Sequence, residues 1–287
     1  MSKLTVAAFR RFAGLDPFPQ PPVIRLQHPV VLMHGFGLLT VIMRGGHLHD
    51  EAMYLRLRGV VAYAPNVSPY HTVPARAAMW RDRMDHIRAE TGAKKLHLIA
   101  HSMGGLDARW LISKLGYADH VASLTTIATP HRGSALANIV LERPERIQEW
   151  VSDAVNWAGE NAIDGGKADF RRAVHDMSPE YVTETFNPDV PDHPDVRYWS
   201  YAGQAGKGCP HAINPVLRPL NALLYRSEGV NDGFVSVESA RWGTFLGTLD
   251  ADHGQQIGVD ILASSSFTST EFFAGIVSML SAEEADY

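Results

Sequence analysis

The chain has 287 residues, 45% of them hydrophobic and 20% charged, with a formal net charge of −5. That balance belongs to a globular chain able to bury its own core without staples. The acidity and the lack of any Lys/Arg block exclude a basic nucleic-acid footprint and suit neutral or apolar substrates better than polyanions.

The first residues carry Lys3, Arg10 and Arg11 but lead into the Pro-rich stretch from Pro17 to Pro22 rather than an apolar run. No Sec signal peptide and no transmembrane span are read there. A cytoplasmic home is expected, with unconventional export as the alternative. Val30-Val31-Leu32-Met33 reads as a buried strand ending in the loop His34-Gly35-Phe36-Gly37. His47-Leu48-His49-Asp50 places two histidines together without a third metal ligand, and reads as a helix start. A second strand is expected over 59–63. Pro74 and Gly92 bound a helix with Trp80, Met84 and Ile87 on one face. Leu96 to Ala100 is a third strand, residues 103–116 a helix, and Val121 to Thr129 a fourth strand. Further strands are expected from Val196 to Ala202 and Phe245 to Leu249, with a closing helix over 270–281. Strands alternating with helices imply a mostly parallel sheet covered on both faces, with ligands at the carboxyl ends of its strands.

Residues 134–194 break the rhythm, with no convincing strand. Within them Ile147, Trp150, Val151, Ala154, Val155 and Ala158 follow helical spacing, so an amphipathic lid helix is expected. The chain is read as one domain, 1–287, with 134–194 as a helical cap. Cys209, in the loop Gly206-Lys207-Gly208-Cys209-Pro210, is the single cysteine, so no intramolecular disulfide forms.

The chemistry is concentrated after the strands. Ala100-His101-Ser102-Met103-Gly104-Gly105 lies between a strand and a helix, the setting of a nucleophile elbow. Tiny residues two positions either side of Ser102 admit its strained backbone, and the turn is expected to lift its hydroxyl into solvent. His101 neighbours Ser102, but adjacent side chains diverge at such a turn, so it reads as packing. A tetrahedral oxyanion needs two preorganised N–H donors. Met103, after the nucleophile, and Phe36, in the His-Gly loop after the first strand, are the candidates. Ser102 also needs a histidine oriented by a carboxylate, in the chain order Ser, acid, His. Of His193, His211 and His253, the last sits in a loop after a strand, Asp250-Ala251-Asp252-His253-Gly254. Asp232, in the turn Asn231-Asp232-Gly233, is the acid candidate. Asp250 and Asp252 crowd the histidine and are expected to solvate its loop.

Several blocks together resemble the bacterial true-lipase family, the triacylglycerol lipases. They are Pro29 to Gly35, Ala100 to Arg109, Leu124 to Ser134 with its Thr-Pro-His-Arg-Gly-Ser stretch, Asn231 to Val237, and the Asp252-His253 loop. The resemblance implies an α/β-hydrolase fold and a lipase or related esterase with Ser102, Asp232 and His253 as its triad. Ala100 at the elbow resembles some Bacillus lipases. Pseudomonas-type relatives carry calcium with an aspartate two positions after the histidine. That position is Gln255 here, and no metal is expected. No phosphate loop or dinucleotide fingerprint occurs, so no cofactor is expected. The expected partners are an acyl ester and a lipid interface. The alternatives are a short-chain esterase or thioesterase, and a hydrolase-fold protein that only binds.

Overall fold

The computed structural model describes residues 13, 23–37, 48–142, 167–260 and 265–285. The expected lid helix lies outside them. Among the described residues six strands form one parallel sheet: β1 (Val30–Met33), β2 (Ala62–Tyr63), β3 (Leu96–His101), β4 (Val121–Ile127), β5 (Arg197–Gly203) and β6 (Thr244–Leu249). Their spatial order is β2-β1-β3-β4-β5-β6.

Strand periodicity explains the two layers. On β1, Val30 and Leu32 face a core shared with Ile99, Phe273 and Val277, while Val31 and Met33 face one shared with Trp80, Met84, Leu98 and Leu124. Successive side chains point to opposite faces, and both faces are covered, so the strand is apolar throughout. Helices α1 (His49–Leu57) and α7 (Ser269–Ala285) cover the first face; α2 (Val73–Thr91) and α3 (Gly104–Ser113) cover the second. Pro74 lies in the first turn of α2, and Gly92 ends it with a left-handed φ of 69° that glycine adopts without strain.

The shorter helices α4 (Ala135–Glu142) and α5 (Lys167–His175) follow β4, and α6 (Arg218–Glu228) follows β5. Among the described residues of 134–194 there is no strand. Two expectations change. The second strand is only two residues long, because Gly59 turns at φ 84° and the extended run begins later. The fourth strand stops at Ile127, because Ala128 takes φ 47° and breaks the ladder. No described helix is long and apolar enough to cross a membrane.

Candidate active site

β3 ends at His101, the chain reverses at Ser102, and α3 begins at Gly104. Ser102 has φ 57°, a region that costs a side chain energy unless its surroundings enforce it. The surroundings do so from both sides. Ser102 N–H donates to the Ile127 carbonyl at 2.9 Å, and Thr129 Oγ1 donates to the Ser102 carbonyl at 2.7 Å. Close approach depends on glycine: a Cβ on Gly35 would stand 2.5 Å from Ser102 Cβ, and one on Gly104 2.8 Å from the His34 carbonyl oxygen. The result departs from the expected solvent-raised serine. Ser102 is 8% exposed, because the loop after β1 presses against it.

Phe36 and Met103, the expected oxyanion donors, share one apolar cluster with Val73 and Leu106. Met103 stands at the N-terminal end of α3, where amides have no intrahelical partner and the dipole favours negative charge. The loop carrying Phe36 is pinned at several points. His34 Nε2 accepts from Val67 N–H at 3.2 Å, Tyr70 Oη donates to the Gly37 carbonyl at 3.1 Å, and Phe36 meets the Tyr70 ring edge-on. Arg76 adds the strongest tie. Its guanidinium donates to the carbonyls of His34 and Ser68 and to Asp107 Oδ2, at 2.7, 2.8 and 2.8 Å. Trp80 Nε1 also donates to that carboxylate. Burial pushes Asp107 up to about 6, against the pull of Arg76. Neither Arg76 nor Asp107 was singled out from the sequence.

Asp232 and His253 meet. His253 Nδ1 lies 2.8 Å from Asp232 Oδ2, and the His253 N–H donates to the Asp232 carbonyl at 3.0 Å. The other carboxylate oxygen accepts from the N–H groups of Phe234 and Val235 at 2.9 and 2.8 Å, so the turn holds its own acid. Asp232 is fully buried, and with Nδ1 occupied, Nε2 is the ring atom left for another partner. The His101 ring lies 4.4 Å from the His253 ring, so the elbow's preceding residue packs against the histidine. Phe234 flanks it at 5.1 Å.

A family model of the α/β-hydrolase fold matches residues 34–164. Triacylglycerol lipase 2 of Saccharomyces cerevisiae is 32% identical over 210 residues, 70% of this chain and 58% of the yeast protein. The chain has the α/β-hydrolase fold and is similar to this lipase. A Vibrio cholerae triacylglycerol lipase is 33% identical over 114 residues, 40% of this chain and 36% of the relative. The chain therefore spans between about a third and about three fifths of those two relatives. Among solved structures, a metagenomic carboxyl esterase superposes with a TM-score of 0.71 at 19% identity, covering 94% of this chain and 80% of that one. A Bacillus licheniformis lipase superposes with 0.58 at 24% identity, covering 82% and 90%. Both likenesses concern the fold.

The Thr-Pro-His-Arg-Gly-Ser stretch bridges the parts of the site. Thr129 holds the Ser102 carbonyl, and Ser134 Oγ donates to the Phe234 carbonyl at 2.7 Å, beside the acid turn. His131 is fully buried between Thr126 Oγ1 and the Trp242 ring, and burial, then Arg109, holds it well below the usual imidazole range. The rival groups go elsewhere. His211 Nε2 pairs with Asp250 at 2.8 Å, and His193 lies by Asp195 and Tyr198. Asp252 corrects the sequence reading: it is buried, accepting from the N–H groups of Asn214, Gly254 and Gln255, so it staples the histidine loop rather than solvating it. Gln255 Nε2 donates to Asp260 at 3.3 Å, and its Oε1 accepts from the Asp252 N–H at 2.9 Å. Among the described residues no group of three or more His, Cys, Asp or Glu side chains is arranged to hold a metal.

Proposed function

We propose that this chain hydrolyses carboxylic esters, fatty-acyl esters among them, through an acyl-enzyme on Ser102. His253 Nε2 takes the Ser102 proton as Oγ attacks the carbonyl carbon. The N–H groups of Phe36 and Met103 hold the oxyanion. Collapse breaks the ester bond, His253 protonates the leaving alcohol, and water repeats the sequence to release the acid and free Ser102. Asp232 holds the imidazole in the Nδ1–H tautomer throughout. The observation that carries this reading is the buried 2.8 Å Asp232–His253 pair, packed against the ring of His101, whose next residue is a serine in the left-handed conformation of an elbow.

Within one domain, 134–194 serves as a cap. Its placement directly after the β4 loop supports the role, and the lipid surface is the partner such a cap answers to. The test is cleavage of p-nitrophenyl esters from acetate to palmitate by wild type and Ser102→Ala in parallel. Turnover by wild type alone supports the mechanism. A long-chain preference identifies a lipase and a short-chain preference an esterase. Inertness toward every ester, or equal activity of the variant, overturns the assignment in favour of binding alone or other chemistry.

A further inference from the structure

The carboxylate oxygen that meets His253 has a second partner. Gln256 Nε2 donates to Asp232 Oδ2 at 2.9 Å, on the same atom that His253 Nδ1 approaches at 2.8 Å. Gln256 is fully buried, one turn past the histidine. Its Nε2 also lies 3.4 Å from the Ala251 carbonyl oxygen, to which it donates. Both neighbours are acceptors, which sets the amide with its nitrogen toward the carboxylate. Its Oε1 is buried with no hydrogen-bond partner among the described residues. An apolar side chain of similar size would fill this space without burying an orphaned oxygen, so the amide is not explained by packing. The space itself is kept by Gly203, where a Cβ would collide with Gln256 Nε2 and lie 2.8 Å from Asp232 Cβ.

We infer that Gln256 is a positioning residue that sets the basicity of His253 through Asp232. This rests on the triad reading above. An N–H donor on Oδ2 draws off part of the negative charge that would otherwise stabilise the imidazolium. It also fixes the carboxylate plane, so that Oδ2 points at Nδ1. The donor thus limits how strongly Asp232 favours the imidazolium over the neutral, base-competent imidazole. Removing it strengthens the hold of Asp232 on the imidazolium.

The test is the pH profile of kcat/KM on p-nitrophenyl butyrate for wild type, Gln256→Met, Gln256→Leu, Asp232→Asn and the double variant Asp232→Asn/Gln256→Met. Gln256→Met is expected to move the acidic limb up by roughly half a pH unit or more, with kcat reduced and KM unchanged. Gln256→Leu, which also lacks a donor, is expected to move it as far and serves if the methionine variant does not fold. In the Asp232→Asn background the Met substitution is expected to add nothing, since the effect runs through the carboxylate. A limb that stays in place in the folded variant, or a loss of equal size in the Asn background, overturns the inference. Fluorophosphonate labelling separates the two levels: unlabelled wild-type Ser102 overturns the triad reading itself, whereas normal labelling with an unmoved limb overturns only the role of Gln256.

Discussion

At the scale of single residues, small side chains make the site possible and carboxylate geometry makes it specific. The left-handed Ser102 costs on the order of 1–3 kcal/mol, offset by its hydrogen bonds to Ile127 and Thr129. Gly35→Ala sets a methyl against Ser102 Cβ, now 2.5 Å from where it would stand. The loop carrying Phe36 must then retreat, and kcat is expected to fall by roughly 100-fold or more, the effect of losing one oxyanion donor. Steady-state kinetics with a melting curve checks this; a folded variant with wild-type kcat removes Phe36 from the mechanism. Asp232→Asn preserves shape but presents an N–H to Nδ1, favouring the wrong tautomer. Its kcat is expected to drop by about 10⁴-fold. A loss under tenfold would make another carboxylate the acid.

At the scale of elements, the packing of α2 against α3 reaches the site through a buried ion pair. Arg76 and Asp107 are both fully buried, and Arg76 holds the His34 carbonyl of the loop after β1. Burial pushes Asp107 up to about 6 from its ordinary 3.8. Between those values the folded chain keeps a proton that the unfolded chain has lost, so this group's contribution to stability falls as pH rises. Asp107→Asn removes the titration. The stability of wild type over the Asn variant should therefore shrink by about 2–3 kcal/mol between pH 4 and 7, read by urea unfolding at each pH. A difference that is flat or grows with pH would show that Asp107 stays ionised throughout. Arg76 was legible in principle: it falls on the same helical stripe as Trp80, Met84 and Ile87, and a charge on an apolar face asks for a partner. Which partner it finds depends on how α3 crosses α2, which helical spacing does not reveal.

At the scale of the whole molecule, the two ends of the sheet show why residue type alone does not make a site. At the end opposite the elbow, His97 Nδ1 lies 2.7 Å from Ser123 Oγ and its Nε2 lies 2.9 Å from Glu284 Oε1. Burial pulls His97 below the usual imidazole range. Serine, histidine and acid are hydrogen-bonded in a row at this end. Here, however, the serine sits inside β4, with no left-handed turn and no helix N-terminus beside it. This relay fastens the end of α7 to the sheet. Glu284→Ala is expected to lower stability by roughly 1–3 kcal/mol while leaving kcat/KM unchanged, as denaturant unfolding and the ester assay will show. Lost activity in the still-folded variant would mean that the relay reaches the active centre.

The sequence by itself determined the parallel sheet, the elbow at Ser102, the loop of Phe36 and the acid-to-histidine order. These rest on local rules: apolar runs of strand length, glycine where backbones crowd, and turn residues such as Asn231-Asp232-Gly233. Tertiary structure decided the rest. Asp232, Asp250 and Asp252 look alike as loop carboxylates, yet one meets His253, one pairs with His211 and one staples a loop. Gln256 acquired its place beside Asp232 in the same way, and no local pattern marks it. A side chain's partner depends on where separate strand ends converge, and that convergence is set by packing over the whole sheet, beyond the few residues through which a sequence motif speaks.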